Sequence, residues 1–439
     1  MKKKLQKTFF LILFLLCFYS VSGENSETTV QYVTLEKALE LGMENNPDII
    51  AARRNLESLA RDNTGKWNTF LPNLSLNGSY SNNHNADSNT WKWSGSTGVT
   101  LSFDFGIPSE MTVKTLEYQK GVVEYEKLVT STMNSITNSF YSLITEKNNI
   151  DILIQAANMA EEQYNQDLTN YNRGLVSELA LLQSRYAYIS AQPDIDNAKS
   201  TYEANLDSFK VSIGLEGDIE LVGSLEVSEV VLPDGETLIQ KYTEQNYDVQ
   251  QQALAVEIAV ANKRQGTAST LAPTFTLSEN LSLTEGTQGN PVNLNGTFTA
   301  AVSIPLTGFI PYSSSNLALK KLEDQVESAE DTLALTIKET QNSLSLLPDK
   351  LARLWEAIGL AEMNYSISQK AYQLSEEGYE SGLVSQTDLN TARQQLTTAQ
   401  QSLYETQRDY LSALYDAALL MNISVEELIT QYGGNHDGR

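Results

Sequence analysis

Along residues 73–80 the chain alternates strictly, with Leu74, Leu76, Gly78 and Tyr80 on one side and Asn73, Ser75, Asn77 and Ser79 on the other. The same period of two recurs at Trp91, Trp93, Val99, Leu101, Phe103 and Phe105, at Phe275, Leu277, Leu281 and Leu283, and at Leu294, Phe298, Val302, Ile304 and Leu306. Such alternation marks strands with one apolar and one polar face, predicted at about 72–82, 91–105, 273–284 and 293–306. Elsewhere the chain is short of proline and rich in Ala, Gln, Glu and Leu, which predicts long helices over about 109–171, 178–213, 246–271, 386–421 and 46–70. The first would be about 95 Å long at 1.5 Å per residue, beyond the span of an ordinary globular domain. Helices 178–213 and 246–271, about 54 and 39 Å, together nearly equal it. They are expected to stack end to end beside it, with Gly214–Gly235 as a collar, and 386–421 with 46–70 to close the second half in the same way.

The pattern is duplicated. Asn46-Pro47-Asp48-Ile49 returns as Asn246-Tyr247-Asp248-Val249, and Leu71-Pro72-Asn73 as Ala272-Pro273-Thr274. Tyr171-Asn172-Arg173-Gly174-Leu175-Val176-Ser177 returns as Tyr379-Glu380-Ser381-Gly382-Leu383-Val384-Ser385 after a gain of about one heptad, a length that leaves a helix face unchanged. The predicted organisation is therefore a leader (1–23), a first repeat (24–232) with a hairpin tip at about 171–178, a second repeat (233–430) with a tip at about 379–386, and a flexible tail (431–439).

The leader begins Met1-Lys2-Lys3-Lys4, continues through an apolar stretch from Phe9 to Tyr19 and closes on Val21-Ser22-Gly23, the pattern of a cleaved secretory signal. Its apolar run is too short to span a bilayer as a helix. Cys17, the only cysteine, lies within it behind Leu16, where a lipid-attachment signal favours a small residue, so cleavage without lipidation is expected. The mature chain then has no thiol for a disulfide. With 55 acidic and 30 basic residues the formal net charge is −25, which argues against nucleic acid as a partner. His84 and His436 have no cysteine, phosphate loop, HExxH or GxSxG pattern to combine with, so neither an enzyme nor a cofactor is expected.

One apolar and one polar strand face would suit a small soluble sandwich beside a helical bundle. They also suit a membrane barrel, and segments of about ten residues with aromatics toward their ends favour it. Four strands do not close such a barrel, whose smallest members have about eight, so other copies must supply the rest: three for twelve strands, four for sixteen. Glu279 falls on the apolar face by strict parity and requires a bulge, a place near the rim or a protein contact.

In its duplicated order of helices and strand pairs, its twice-occurring Tyr-x-x-Gly-Leu-Val-Ser turn and its leader, the chain resembles the TolC-type outer-membrane efflux proteins, from about Thr34 to about Ile429. The resemblance implies a fold that is mainly α with a membrane β-barrel. It implies a homotrimer with a twelve-stranded barrel in outer-membrane lipid and a helical tunnel in the periplasm, where a periplasmic adaptor and an inner-membrane pump would dock. The whole would serve as a passive exit duct of a tripartite efflux or secretion system.

Within that frame the two turns form the periplasmic tip. Gly174 and Gly382 suit the left-handed end of a helix, and Ser177 and Ser385 the cap of the next. The apolar Leu175, Val176, Leu383 and Val384 suit a docking surface. Asp388 matches a family carboxylate that rings the periplasmic aperture, while Ser385-x-x-Asp388 is equally a capping spacing; a second family acid is replaced by Thr391. Tyr379 matches a tyrosine that helps latch the tip, but Val384 and Ala180 stand where its arginine and acidic partners would be, leaving Arg173 and Glu178 as substitute links. Trp91, Trp93, Phe103 and Phe105 are expected as membrane-interface aromatics. The acidic residues would favour cations if they lined the lumen, and otherwise lie on solvated outer helix faces. The competing readings are a soluble periplasmic coiled-coil adaptor or scaffold, and a surface adhesin, against which the short strand loops argue. The cargo is not legible.

Overall fold

A computed structural model describes residues 31–85, 88–285 and 292–434; the expected leader and the last five residues lie outside them. The elements run β1 (Gln31–Val33), α1 (Leu35–Asn45), α2 (Pro47–Thr64) with a 3-10 turn to Phe70, β2 (Asn73–Asn85), β3 (Ser88–Phe103), α3 (Ile107–Asn172) and α4 (Glu178–Ile213). They continue through β4 (Ile219–Leu221), α5 (Gly235–Tyr242), α6 (Tyr247–Leu271), β5 (Thr274–Glu285), β6 (Val292–Ser303), α7 (Ser314–Glu380), α8 (Gln386–Met421) and α9 (Val425–Tyr432). With 66 and 67 residues, α3 and α7 are each about 100 Å long. No described helix is long and apolar enough to cross a membrane.

The helices form four parallel rods, two of them continuous (α3 and α7) and two stacked. The stacking differs from the sequence expectation. Asn46, which caps α2, donates from Nδ2 to the Ser212 carbonyl at the end of α4 (2.8 Å), and Asn246, which caps α6, donates to the Leu420 carbonyl at the end of α8 (2.9 Å). Thus α4 is continued by α2, and α8 by α6. Each asparagine satisfies two kinds of orphan group at once, since its Oδ1 also accepts from the second and third residues of its own helix. The joints are completed by left-handed residues, Gly214 (φ 64°) and Asn422 (φ 54°), that end α4 and α8.

Around each joint sits a small core, and the two cores together are the collar. One packs Val33, Ala38, Phe140, Phe209, Ile213 and Leu221; the other packs Leu238, Tyr242, Leu344, Tyr410, Leu414 and Leu428. Tyr410 is fully buried, accepts from the Val230 amide at 3.0 Å and donates to the Ser228 carbonyl at 2.9 Å. The last described helix belongs to this core: α9 runs to Tyr432, and Gly433 bridges Val230, so the first residues of the stretch read as a tail (431–439) are structured, and 435–439 lie outside the described residues.

Four antiparallel strands form one sheet in the order β2-β3-β5-β6. Strands end at Phe103 and Ser303, earlier than the alternation predicts: Asp104 accepts from the Gly106 amide at 2.6 Å and turns the chain into α3, and a 3-10 turn at Thr307–Phe309 follows β6. Phe105, Ile304 and Leu306 therefore lie beyond the strands. All helices leave the sheet from one end, opposite the two hairpin loops. Strand order matches rod order, since β2 continues α2, β3 leads into α3, β5 continues α6 and β6 leads into α7. The α6/α8 rod packs against both long helices and α2/α4 against α3, so α2/α4 and α7 are the outer rods, on the same flanks as the edge strands β2 and β6.

Candidate functional site

At the far end of the rods each hairpin turns on a left-handed glycine, Gly174 (φ 75°) and Gly382 (φ 72°). In the first, Leu175 donates its amide back to Asn170 O and Gly174 to Tyr171 O; in the second, Leu383 donates to Gly378 O and Gly382 to Tyr379 O. These are paired Schellman closures. Ser177 then accepts from the Ala180 amide at 3.3 Å, and Ser385 from the Asp388 amide at 3.2 Å. Leu175 and Leu383 are 72% and 86% exposed, whereas Val176 and Val384 are half-buried. Asp388 is exposed and accepts the Ser385 hydroxyl at 2.7 Å, so the capping geometry is present.

Besides a long Gln183–Thr387 bond (3.5 Å), the two hairpins are joined near the tip by a bond that the sequence pattern does not reveal. The Tyr379 hydroxyl donates to Asp167 Oδ1 at 2.7 Å, and Gln163 Nε2 donates to the same oxygen at 3.0 Å. Asp167 is fully buried, and Arg393, also buried, is near enough for the two charges to interact. Asp167 Oδ2, Arg393 Nε and both side-chain polar atoms of buried Gln386 have no partner among the described residues. Burial and then the Asp167 bond push the Tyr379 hydroxyl well above its ordinary value, and burial pulls Arg393 down. Arg173 and Glu178 are exposed and form no ion pair among the described residues. Asp167 lies four residues beyond Gln163 and seven beyond Ala160, on the buried stripe of α3; an acid on an otherwise buried face is the signal that marks it.

Nearby Tyr372 is pushed up to about 12 by burial and then by its bond to Glu376. A hydroxyl raised on folding contributes stability that is complete below the ordinary value near 10 and is lost as pH rises through about 12. Tyrosinate absorbance should therefore show a tyrosine titrating near 12, missing from Tyr372→Phe.

The sheet sorts its residues into two faces. Register places Tyr80 opposite Trp93, Leu74 opposite Val99, Leu101 opposite Leu277, and Leu283 opposite Leu294, all on one side. Tyr80 also stacks on Trp91 at 4.8 Å near the loop end, while Phe103 pairs with Phe275 and lies 6.3 Å from Phe70 at the helix end. Twelve residues separate Trp91 from Phe103, about 30 Å across for a strand tilted by about 40°. The opposite face presents Asn73, Ser75, Asn77, Ser79, Ser94, Ser96, Thr276, Ser278, Asn280, Asn295, Thr297 and Thr299. It carries no carboxylate among the described residues.

Glu279 is the sole acid within the apolar face rather than at its edge. The ladders run unbroken through Val99–Glu279–Phe298, in the middle of β5, so there is neither a bulge nor a rim position. Its carboxylate leans over the space left by Gly296, 3.4 Å from where a Cβ would sit. On a lipid face such a charge is costly. Glu279→Gln should raise the dissociation temperature of the detergent-solubilised protein, corresponding to about 1–2 kcal/mol, with Glu285→Gln at the strand end as a near-neutral control.

Residues 38–215 and 238–421 match the family described as outer membrane efflux protein. The chain belongs to that family. Comparison with curated proteins gives no match. Among solved structures, CusC is similar with a TM-score of 0.73 at 16% identity, over 89% of this chain and 92% of the other. The Campylobacter jejuni outer membrane channel CmeC has a TM-score of 0.73 at 16% identity, over 90% and 88%. VceC from Vibrio cholerae has a TM-score of 0.70 at 14% identity, over 89% and 96%. This outer membrane efflux protein therefore has the fold of the TolC-like channels, a β-sheet domain continued by long helices, and its family is one of transport conduits rather than enzymes. Val384, where the resemblance puts an arginine, packs against Gly378, and the acid bonded to Tyr379 is Asp167 on α3 rather than a residue of α4.

Proposed function

We propose that this efflux protein is the outer-membrane exit duct of a tripartite export system, assembled from three copies. The reading rests on one observation: the sheet and the rods are open on the same two flanks. On α7 only Thr340, Leu344, Leu347, Leu351 and Ile358 are buried, against fifteen residues on the equally long α3. Leu346, Leu360, Met363 and Ile367 are left exposed on α7. A neighbouring copy that sets its β2 and α2/α4 rod against β6 and α7 would cover both flanks, and three copies give twelve strands. The apolar sheet face would meet outer-membrane lipid, with Trp91, Trp93 and Phe103 at its two boundaries and Phe105 just outside, and the Ser/Thr/Asn face would line the pore.

The tip would stand in the periplasm. Leu175 and Leu383, outermost on the two turns, would meet a periplasmic adaptor that links the duct to an inner-membrane pump, with Gly174, Val176, Ser177, Gly382, Val384 and Ser385 shaping that surface. Tyr379 and Asp167 hold the hairpins together, and Arg173 and Glu178 flank the first turn. Asp388 caps α8 and, repeated in three copies, would present a ring of carboxylates to cations. Native mass spectrometry in detergent should give a trimer, whereas a monomer stable without detergent would favour a soluble scaffold. In planar bilayers Asp388→Asn should weaken block by divalent cations applied from the tip side about tenfold; an unchanged block would leave Asp388 as a cap alone.

A further inference from the structure

The polar face of the sheet is almost free of charge in a strongly acidic chain. Among the described residues it consists of Ser, Thr and Asn with Gly98 and Ala301, and its one charged residue is Lys92. Lys92 pairs with Ser81, is exposed, and shares the polar face with Ser94 and Ser79, whose hydroxyls bond each other at 2.7 Å. It stands eleven residues from Phe103, at the loop end of β3 and therefore at the end of the sheet farthest from the helices. Glu285, at the same end, has the parity of the apolar face. Asp87, in the hairpin loop, lies outside the described residues.

We propose that Lys92 from each copy forms a cationic ring inside the outer mouth of the barrel, a binding site for polyvalent anions. The inference rests on the barrel reading above. Twelve strands about 4.8 Å apart and tilted by about 40° enclose a backbone radius of about 12 Å. A lysine stem extends inward from that wall, so each ammonium lies closer to the axis than the Debye length of about 10 Å at 0.1 M salt. Ammoniums repeated around a low-dielectric wall add their fields in the lumen, and the hydroxyls and amides below them offer no opposing charge. The acids of the chain lie elsewhere, mostly on the helices, so the outer mouth and the periplasmic part differ in sign. An anion entering from outside would be held at Lys92, and an anionic cargo leaving the duct would meet its last binding station there.

Planar-bilayer recording with hexametaphosphate as the probe tests this. Added on the loop side of wild-type channels at 0.1 M salt, hexametaphosphate should block current in a voltage-dependent manner. Lys92→Gln should raise the half-blocking concentration about tenfold, and Lys92→Arg should restore it, with native mass spectrometry confirming that each variant assembles. Block that is unchanged in Lys92→Gln, or equally strong when the probe is added on the tip side alone, would overturn the proposal. Wild-type protein that does not conduct at all would instead count against the channel reading on which it rests.

Discussion

Tyr379→Phe should open the tip. The hydroxyl it removes is the only group that bonds the second hairpin to Asp167 among the described residues. Without it a fully buried carboxylate keeps one bond from its own helix and loses its link across the hairpins. Leaving a buried charged group short of a partner costs about 2 kcal/mol, or about a 30-fold shift toward the open form. In bilayers this should appear as a larger mean conductance and longer open dwell times. Asp167→Ala should have a similar effect, and the double variant should be little worse than either single one, because each removes the same bond. Conductance unchanged in both single variants would mean that the pair merely packs the tip.

The second large effect is expected at the collar. Tyr410 fills the core around the α6/α8 joint, lies 5.4 Å from Trp355 between ring centroids, and satisfies the Val230 amide and Ser228 carbonyl of the segment between β4 and α5. Tyr410→Ala should cost about 3–5 kcal/mol, from the cavity and the unpaired backbone groups together. Tyr410→Phe keeps the ring and should cost about 1–3 kcal/mol. Tyr186→Ala, on the exposed face of α4, should change stability by under about 0.5 kcal/mol. Thermal denaturation of the detergent-solubilised protein followed by circular dichroism gives the ranking. Equal midpoints for the three would show that the collar contributes little to holding the rods together.

Much of this architecture can be read from hydrophobic periodicity. Strict alternation locates all four strands of the sheet, and the last helix pair of each repeat starts and stops where its glycine and serine signals stand, at Gly174-Ser177 and Gly382-Ser385. Two features were not legible, for physical reasons. Helix lengths balance whether α4 is continued by α6 or by α2, so length does not choose between them. The choice is made by the amide groups of Asn46 and Asn246, each bonded to a carbonyl more than 160 residues away. The Tyr379–Asp167 bond is likewise a contact between helices, 212 residues apart in sequence, and Asp167 sits four residues before the first turn motif rather than within it. Glu279 shows the converse: parity placed it on the apolar face, and the unbroken ladders leave it there.

Closure of a conducting barrel by copies of this chain is the property on which the proposed duct depends. The most direct measurement is planar-bilayer recording of the purified, detergent-solubilised oligomer. Discrete channel openings that increase in size or duration with Tyr379→Phe are the expected result. A protein that inserts yet carries no current in either form would contradict that closure.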